Sequence, residues 1–172
     1  MRKRRKWILL GFGVALLLLF VLSRFYAFIM DDQWEEQSLA MKAAYSLTDL
    51  TEVDKVQKSV WDENSIFWVL TGKDKAGTGM MVWVRFTVDG KVAEGNGAVY
   101  GMPVSSGTSE KKIRSIIAQD LPGISIERLL PGAYNGEYAW QLFYKKGGRY
   151  YYRFYRFSDG TSIGDGYKLP NR

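Results

Sequence analysis

The sequence contains neither cysteine nor histidine among its 172 residues. The lack of cysteine excludes disulfides, thiol nucleophiles and iron–sulfur ligands, and the lack of histidine removes the commonest general base at neutral pH. Most transition-metal sites also require one of these two residue types. From these absences, and because the sequence contains no complete catalytic motif, we expect a protein that is not an enzyme, that holds no cofactor or metal ion, and that has no small-molecule substrate.

A basic surplus is absent from most of the chain. The formal net charge is +6, but six of the 24 basic residues precede residue 31, and the other basic residues balance the 18 acidic residues. Beyond residue 30 the chain therefore carries no overall field that attracts phosphate. We expect no nucleic acid partner.

One long apolar run occurs near the start of the chain. Residues 7–22 read WILLGFGVALLLLFVL without a charge, and FYAFIM follows Arg24. The run is long enough for a hydrocarbon core of about 30 Å. No small residues typical of a signal-peptidase site follow it, which argues against a cleavable signal peptide. We predict a transmembrane anchor over residues 7–30, in contact with membrane lipid.

The charges before this run predict its orientation. The tail, residues 1–6, carries a cluster of basic residues that serves as a topology signal: Arg2, Lys3, Arg4, Arg5 and Lys6. Such a cluster holds the adjoining end of an anchor in the cytoplasm. We therefore expect a single-pass protein of the cell membrane, with a cytoplasmic N-terminus and extracytoplasmic C-terminal domains.

The segment after the anchor combines one helical pattern with three strand patterns. Residues 31–47 have apolar side chains at helical spacing, and the sequence leaves open whether this helix continues the anchor. Residues 52–61, 65–71 and 80–88 are typical of strands, and alternation in the third predicts a sheet with one buried face. Residues 95–107 contain Gly97, Gly101 and Pro103 and are predicted to be a linker.

The same order of elements then repeats. A helix is predicted over residues 109–121, with Thr108 or Ser109 as its N-cap, and strands over residues 124–130, 137–145 and 149–157. Aligning the halves places Trp68 over Trp140, which indicates a duplication. We predict an α+β fold with two domains, residues 31–100 and 101–172, each a helix packed on a three- to four-stranded antiparallel sheet. Because each half is small, we expect the two to pack together.

One short motif has a catalytic counterpart. Ser109 and Lys112 have the S-x-x-K spacing of penicillin-recognising enzymes. Those enzymes also need S-D-N-like and K-T-G elements, and neither tripeptide occurs in this sequence. We interpret Ser109 as a helix cap.

The chain resembles a known family in three stretches. They are the basic start and anchor that run into a Trp-containing helix, the string FWVLTGKDKAG followed by VWVRF, and AWQLFYKKGGRYYYRFYRFSDGTSI after LPGISIERL. These features resemble the bacterial YpmB or TseB-like cell wall elongation regulators. The resemblance implies two tandem cystatin-like domains, the second PepSY-like, outside a Gram-positive membrane.

The resemblance also implies a function. It suggests a non-enzymatic regulator of cell wall elongation that acts on peptidoglycan synthesis by binding a membrane-bound penicillin-binding transpeptidase. A PepSY-type inhibitor or chaperone of an exported protease is the alternative. The family supplies no catalytic residues that could be transferred to this chain.

The aromatic strands near the end of the chain suggest a binding face. If the hairpin at residues 146–148 has a three-residue loop, Tyr150, Tyr152 and Phe154 face the core. The opposite face then presents a candidate partner-binding set rich in Tyr and Arg, which interfaces favour: Phe143, Arg149, Tyr151, Arg153 and Tyr155. The corresponding face of the first half, around Trp83 and Arg85, is an alternative docking face. Either face could instead form the interface between the two halves.

Overall fold

The computed structural model describes the backbone of residues 2–170 and the side chains of residues 11–25 and 33–170. Within these residues the fold consists of two α-helices, a short 3-10 helix at Val104–Ser106 and two antiparallel sheets. Helix α1 spans Arg2–Leu47 and α2 spans Glu110–Asp120. The first sheet contains, in spatial order, β1 (Leu50–Val60), β2 (Ile66–Asp74), β3 (Gly79–Phe86) and β4 (Val99–Pro103). The second contains β5 (Ser125–Tyr134), β6 (Glu137–Lys146), β7 (Arg149–Arg156) and β8 (Ser162–Lys168).

Backbone contacts divide the chain into two units, Met1–Ser38 and Leu39–Arg172. Helix α1 is continuous, which answers the question that the sequence left open. Within the described part of the chain, no helix combines the length and apolarity needed to cross a membrane. The predicted anchor at 7–30 falls partly on residues whose side chains lie outside the described ones, and the predicted topology signal at 2–6 does so entirely.

The first sheet is buried on both faces. Ala40 and Ala44 near the end of α1 pack against one face of the sheet, where Trp68, Leu70 and Val82 lie. The small alanine side chains allow the helix to approach the strands closely. The other face carries Phe67, Val69, Met81 and Trp83, which belong to a different core cluster. The expectation of a single buried face was therefore wrong for β3, because a second layer covers the side away from α1.

Helix α2 packs on the second sheet through Ile113 and Ile117, which are fully buried. Its N-cap is Ser109, whose Oγ accepts a hydrogen bond from the backbone N–H of Lys112 at 3.3 Å. This contact satisfies one of the free N–H groups of the first turn. The interpretation of Ser109 as a cap is thereby confirmed.

One apolar core joins the two sheets. Trp83 of β3 is fully buried, and its Nε1–H donates to the carbonyl oxygen of Gly132 in β5 at 3.1 Å. Its ring lies 4.7 Å from that of Tyr138 and 4.8 Å from that of Phe157, measured between centroids. The expectation that the halves pack together is confirmed, and Trp83 belongs to their interface instead of an exposed docking face.

The two matched tryptophans occupy equivalent places. Trp68 lies on β2 and Trp140 on β6, the second strand of each sheet, and each faces the helix that precedes its sheet. Trp140 Nε1–H donates to the carbonyl oxygen of Thr108, just before α2, at 2.8 Å. The equivalence agrees with the duplication inferred from the sequence.

The predicted linker at residues 95–107 was wrong in its central part. Strand β4 occupies it and pairs with β3, so the strand crosses the predicted boundary at residue 100 and the first sheet ends at Pro103. Gly101 suits a strand here because an added Cβ would lie 3.0 Å from the Thr48 side chain. Pro103 ends an edge strand, a place where a missing N–H is tolerated. Strand β8 was likewise not predicted.

Candidate functional site

The hairpin between β6 and β7 decides which side chains share a face. Lys146 pairs with Arg149, so the turn consists of Gly147 and Gly148 alone, with φ values of 55° and 78°. Positive φ at both central residues is the requirement of the type I′ turn, which favours glycine. The predicted three-residue loop was therefore wrong. Because the side-chain period is two, this difference of one residue moves every side chain of β7 to the opposite face.

The five residues of the predicted face do not form one surface. Tyr155 is fully buried in the core shared with α2. Arg153 and Tyr151 lie on that same side and are half-buried; Arg153 Nε donates to Ser162 Oγ at 3.1 Å, and Tyr151 stacks on Tyr144. Arg149 is exposed at the turn. Phe143 pairs with Tyr152 and lies on the opposite face of the sheet.

Tyr155 provides a prediction about stability. Its hydroxyl is buried without a hydrogen-bond partner among the described residues, and burial raises the pKa of this phenol to about 12. Phenylalanine removes the unpaired hydroxyl and keeps the ring. We expect Tyr155→Phe to leave the free energy of unfolding at pH 7 unchanged or to raise it by about 1 kcal/mol. Urea unfolding of the full-length chain in detergent micelles measures this difference.

The pH dependence has a definite sign. The folded state favours the neutral phenol, so the contribution of Tyr155 to stability is complete below its ordinary pKa of 10.0 and is lost as the pH rises towards 12. Tyr155→Phe has no phenol that could ionise. The amount by which its free energy of unfolding exceeds that of the natural chain should therefore increase above pH 10. Tyr150→Phe, at an exposed position, is the control. An advantage that is constant between pH 7 and 11 would contradict the assignment.

The outer face of the second sheet, on the side away from α2, carries a surface that sequence reasoning missed. We call it the basic aromatic surface and define it by Arg128, Phe143, Lys145, Tyr150 and Tyr152. The Phe143 ring lies 4.8 Å from Tyr152 and 5.3 Å from Tyr150, and all three rings stack. Tyr150 is 39% exposed, and Phe143 and Tyr152 are half-buried. The rings form a continuous row at the surface.

Two cations are held against this row. The Arg128 guanidinium lies 5.9 Å from the centre of the Phe143 ring, and Arg128 Nη2 donates to Tyr152 Oη at 3.2 Å. Lys145 Nζ lies 5.4 Å from the centre of the Tyr150 ring. Each of these contacts pairs a positive charge with the negative face of a ring. The cations are therefore positioned before any partner arrives.

The other end of the outer face is covered from within the chain. Trp61, just beyond β1, contacts the rings of Tyr134, Tyr152, Phe154 and Tyr167 at centroid distances between 4.6 and 5.7 Å. The hydroxyls of Tyr134 and Tyr167 share a hydrogen bond of 2.7 Å, which is the main reason why the pKa of Tyr134 is raised. Trp61 thus closes one end of the face and borders the basic aromatic surface at Tyr152, and the rest of that surface stays open.

The open surface is suited to binding a protein. It combines ordered rings with two directed cations, which supply contact area and hydrogen bonds at a low cost in side-chain entropy. Both charged members are positive, so the complementary partner presents carboxylates around an apolar patch. The signal that could have identified it is Gly147-Gly148, since a Gly-Gly pair is one of the preferred two-residue turns.

Comparisons with known proteins point to one family. A family model described as "Cell wall elongation regulator TseB-like domain" matches residues 40–85. The chain is 31% identical over 121 residues to the "Probable cell wall elongation regulator TseB" of Bacillus subtilis (strain 168), and the match covers 70% of each chain. A solved structure, "YpmB protein from Bacillus subtilis", matches with a TM-score of 0.61 at 25% identity, over 76% of this chain and 94% of that one.

Proposed function

The chain belongs to the family of TseB-like cell wall elongation regulators, and we propose from this premise that it is a membrane-anchored, non-enzymatic regulator of cell wall elongation. In this proposal it acts by binding a membrane-bound penicillin-binding transpeptidase. The basic aromatic surface is the single observation that carries the binding role, because it is open, ordered and of one charge. The resemblance that the sequence suggested is confirmed at the level of the family.

The membrane anchor at residues 7–30 is part of the proposal. Its support is the uncharged sequence of residues 7–22 and the exposure of apolar side chains along α1, for example Leu17 at 64%, Phe20 at 63% and Phe25 at 62%. Moving such apolar side chains from water into lipid lowers the free energy of the system. An anchored regulator and an anchored partner share one membrane, which raises their effective concentration and allows a modest interface to suffice.

The assignment of the halves belongs to the same proposal. We assign the first half, which ends with β4 at Pro103, to a cystatin-like domain and the residues that follow to a PepSY-like domain, both extracytoplasmic. The support is architectural, since each half contributes one helix packed on a four-stranded antiparallel sheet.

The docking proposal predicts a loss of binding on charge reversal. The full-length chain carries an affinity tag, is crosslinked in growing bacterial cells and is captured from solubilised membranes. We expect Arg128→Glu combined with Lys145→Glu to lower the yield of captured transpeptidase at least about tenfold, because like charges then face the carboxylates of the partner. Unfolding in urea verifies that the variant is folded.

A matched control is available on other surfaces. Lys91→Glu combined with Lys111→Glu makes the same change in net charge at two exposed positions outside the basic aromatic surface. This control should capture as much transpeptidase as the natural chain. If the Arg128 and Lys145 variant is folded and captures normally, the surface is not the docking site. If the main captured protein is an exported protease, the transpeptidase proposal is wrong.

A further inference from the structure

We propose that the cleft between β4 and the start of β6 binds a sugar ring of a glycan. The cleft has a volume of about 250 Å³ and is lined by residues of both sheets, among them Tyr100, Met102, Glu137, Tyr138, Arg156 and Phe157. This volume is below the roughly 300–1,000 Å³ of pockets that enclose a drug-sized ligand. It suits one or two rings of a longer chain that continues into solvent.

One wall of the cleft is a flat aromatic platform. Tyr100 and Tyr138 stack with their centroids 4.9 Å apart and only 5° from parallel, and the buried Trp83 packs against both, at 6.4 Å and 4.7 Å. Tyr100 is therefore held in place by Tyr138 and the buried Trp83, and it remains 39% exposed. The C–H face of a pyranose ring packs on such a platform because its weakly positive hydrogens meet the negative face of the aromatic ring.

The polar rim of the cleft is a fixed ion-pair network. Arg156 donates to both carboxylate oxygens of Glu137, through Nε and through Nη2, the latter at 3.2 Å. Arg156 Nη1 also donates to Thr161 Oγ1 at 2.6 Å and lies 3.6 Å from Asp159 Oδ2. The hydrogen bonds from Arg156 lower the pKa of Glu137, which keeps this carboxylate ionised. Its remaining lone pairs can accept hydrogen bonds from hydroxyl groups, and such charge-assisted bonds are strong.

These two elements together favour a carbohydrate. A sugar ring has an apolar C–H face and a rim of hydroxyls, and the cleft pairs an aromatic face with a planar, ordered acceptor. The inference rests on the proposed function for its ligand class, since a regulator of cell wall elongation works among glycan strands built of N-acetylated amino sugars. It adds a second contact, separate from the basic aromatic surface, through which the chain senses the polymer itself.

The test is a titration of the full-length chain with the tetramer of N-acetylglucosamine. Calorimetry in a detergent that lacks a sugar headgroup measures the affinity directly. We expect saturable binding that Tyr100→Ala weakens about tenfold through loss of the platform. Tyr100→Phe keeps the ring and should retain most of the affinity, and Glu137→Gln should weaken binding by removing the ionised acceptor.

Tyr45→Ala is the matched control, because Tyr45 is exposed to a comparable extent, 47% against 39% for Tyr100, and lies near the end of α1, outside the cleft and the basic aromatic surface. It should leave the affinity for the tetramer unchanged. If the natural chain shows no saturable binding, or if Tyr100→Ala and Tyr45→Ala weaken it equally, the inference is wrong. Either result leaves transpeptidase capture untouched, so the failure of this inference and the failure of the proposed function are distinguishable.

Discussion

Replacement of Trp83 by alanine is expected to lower the free energy of unfolding by about 3–5 kcal/mol, as for other fully buried aromatic side chains. The indole fills the junction of the two sheets, where it contacts Tyr138 and Phe157. Its loss leaves a cavity there and leaves the Gly132 carbonyl without the bond from Nε1–H. The urea midpoint of the full-length chain, followed by near-ultraviolet circular dichroism, measures the effect.

Trp83→Phe separates the two contributions. It keeps most of the apolar contact and removes the hydrogen bond to Gly132, so we expect a smaller loss of about 1–2 kcal/mol. Amide hydrogen exchange provides the more specific test, because Trp83 belongs to the first sheet while its hydrogen bond to Gly132 and its contact with Tyr138 reach the second. If Trp83→Ala leaves the protection of β6 and β7 unchanged, the two halves do not unfold as one unit and the shared core has been misjudged.

The elements that the sequence predicted well are those with strong local signals. The stripe of Ile113 and Ile117 and the cap at Ser109 located α2, and the alternation along β3 located the middle of the first sheet. Strands β4 and β8 escaped prediction because glycine and proline in them imitate loop signals. In β4 these residues are compatible with an edge strand whose Gly101 lies against Thr48, a contact that only the tertiary structure creates.

The candidate binding face was harder to predict because it depends on one residue of register. The identities of the aromatic residues in β7 were evident from the sequence, but their partition between core and surface followed from the assumed loop length. The alternation along β7 correctly predicted that one face of the strand carries Tyr151, Arg153 and Tyr155. The assumed loop placed that face on the outside of the sheet, whereas in the structure it lies on the side of α2. Local turn chemistry thus determined the location of the candidate site more strongly than composition did.

The cleft lined by Tyr100 and Glu137 had no local signal at all. Its walls come from β4 and from the start of β6, more than 30 residues apart in the chain, and they meet because the two sheets pack on a shared core that includes Trp83. A sequence pattern could identify each residue as aromatic or acidic, but it could not place them opposite each other. Sites between packed sheets therefore require the structure.

Replacement of Gly72 by alanine is the second change expected to have a large effect. Gly72 lies in β2 opposite Val53, where the pairing with β1 shifts register. An added Cβ would overlap the carbonyl oxygen of Glu52, a backbone atom that no side-chain rotation can move away. The strand β1 must then be displaced from its partner along this bulge. We expect a loss of about 3 kcal/mol in the free energy of unfolding, at the upper end of core overpacking.

Gly79→Ala is the control for this prediction, since Gly79 lies in the neighbouring strand β3 and an added Cβ would meet only the Val104 side chain, at 3.8 Å. Contact at that distance is ordinary van der Waals packing. Alanine also lowers the entropy of the unfolded chain, so this variant should be neutral or more stable by about 0.4–1 kcal/mol. Equal urea midpoints for the two variants would show that β1 is not held closely against Gly72, and the register of the first sheet at this bulge would have to be redrawn.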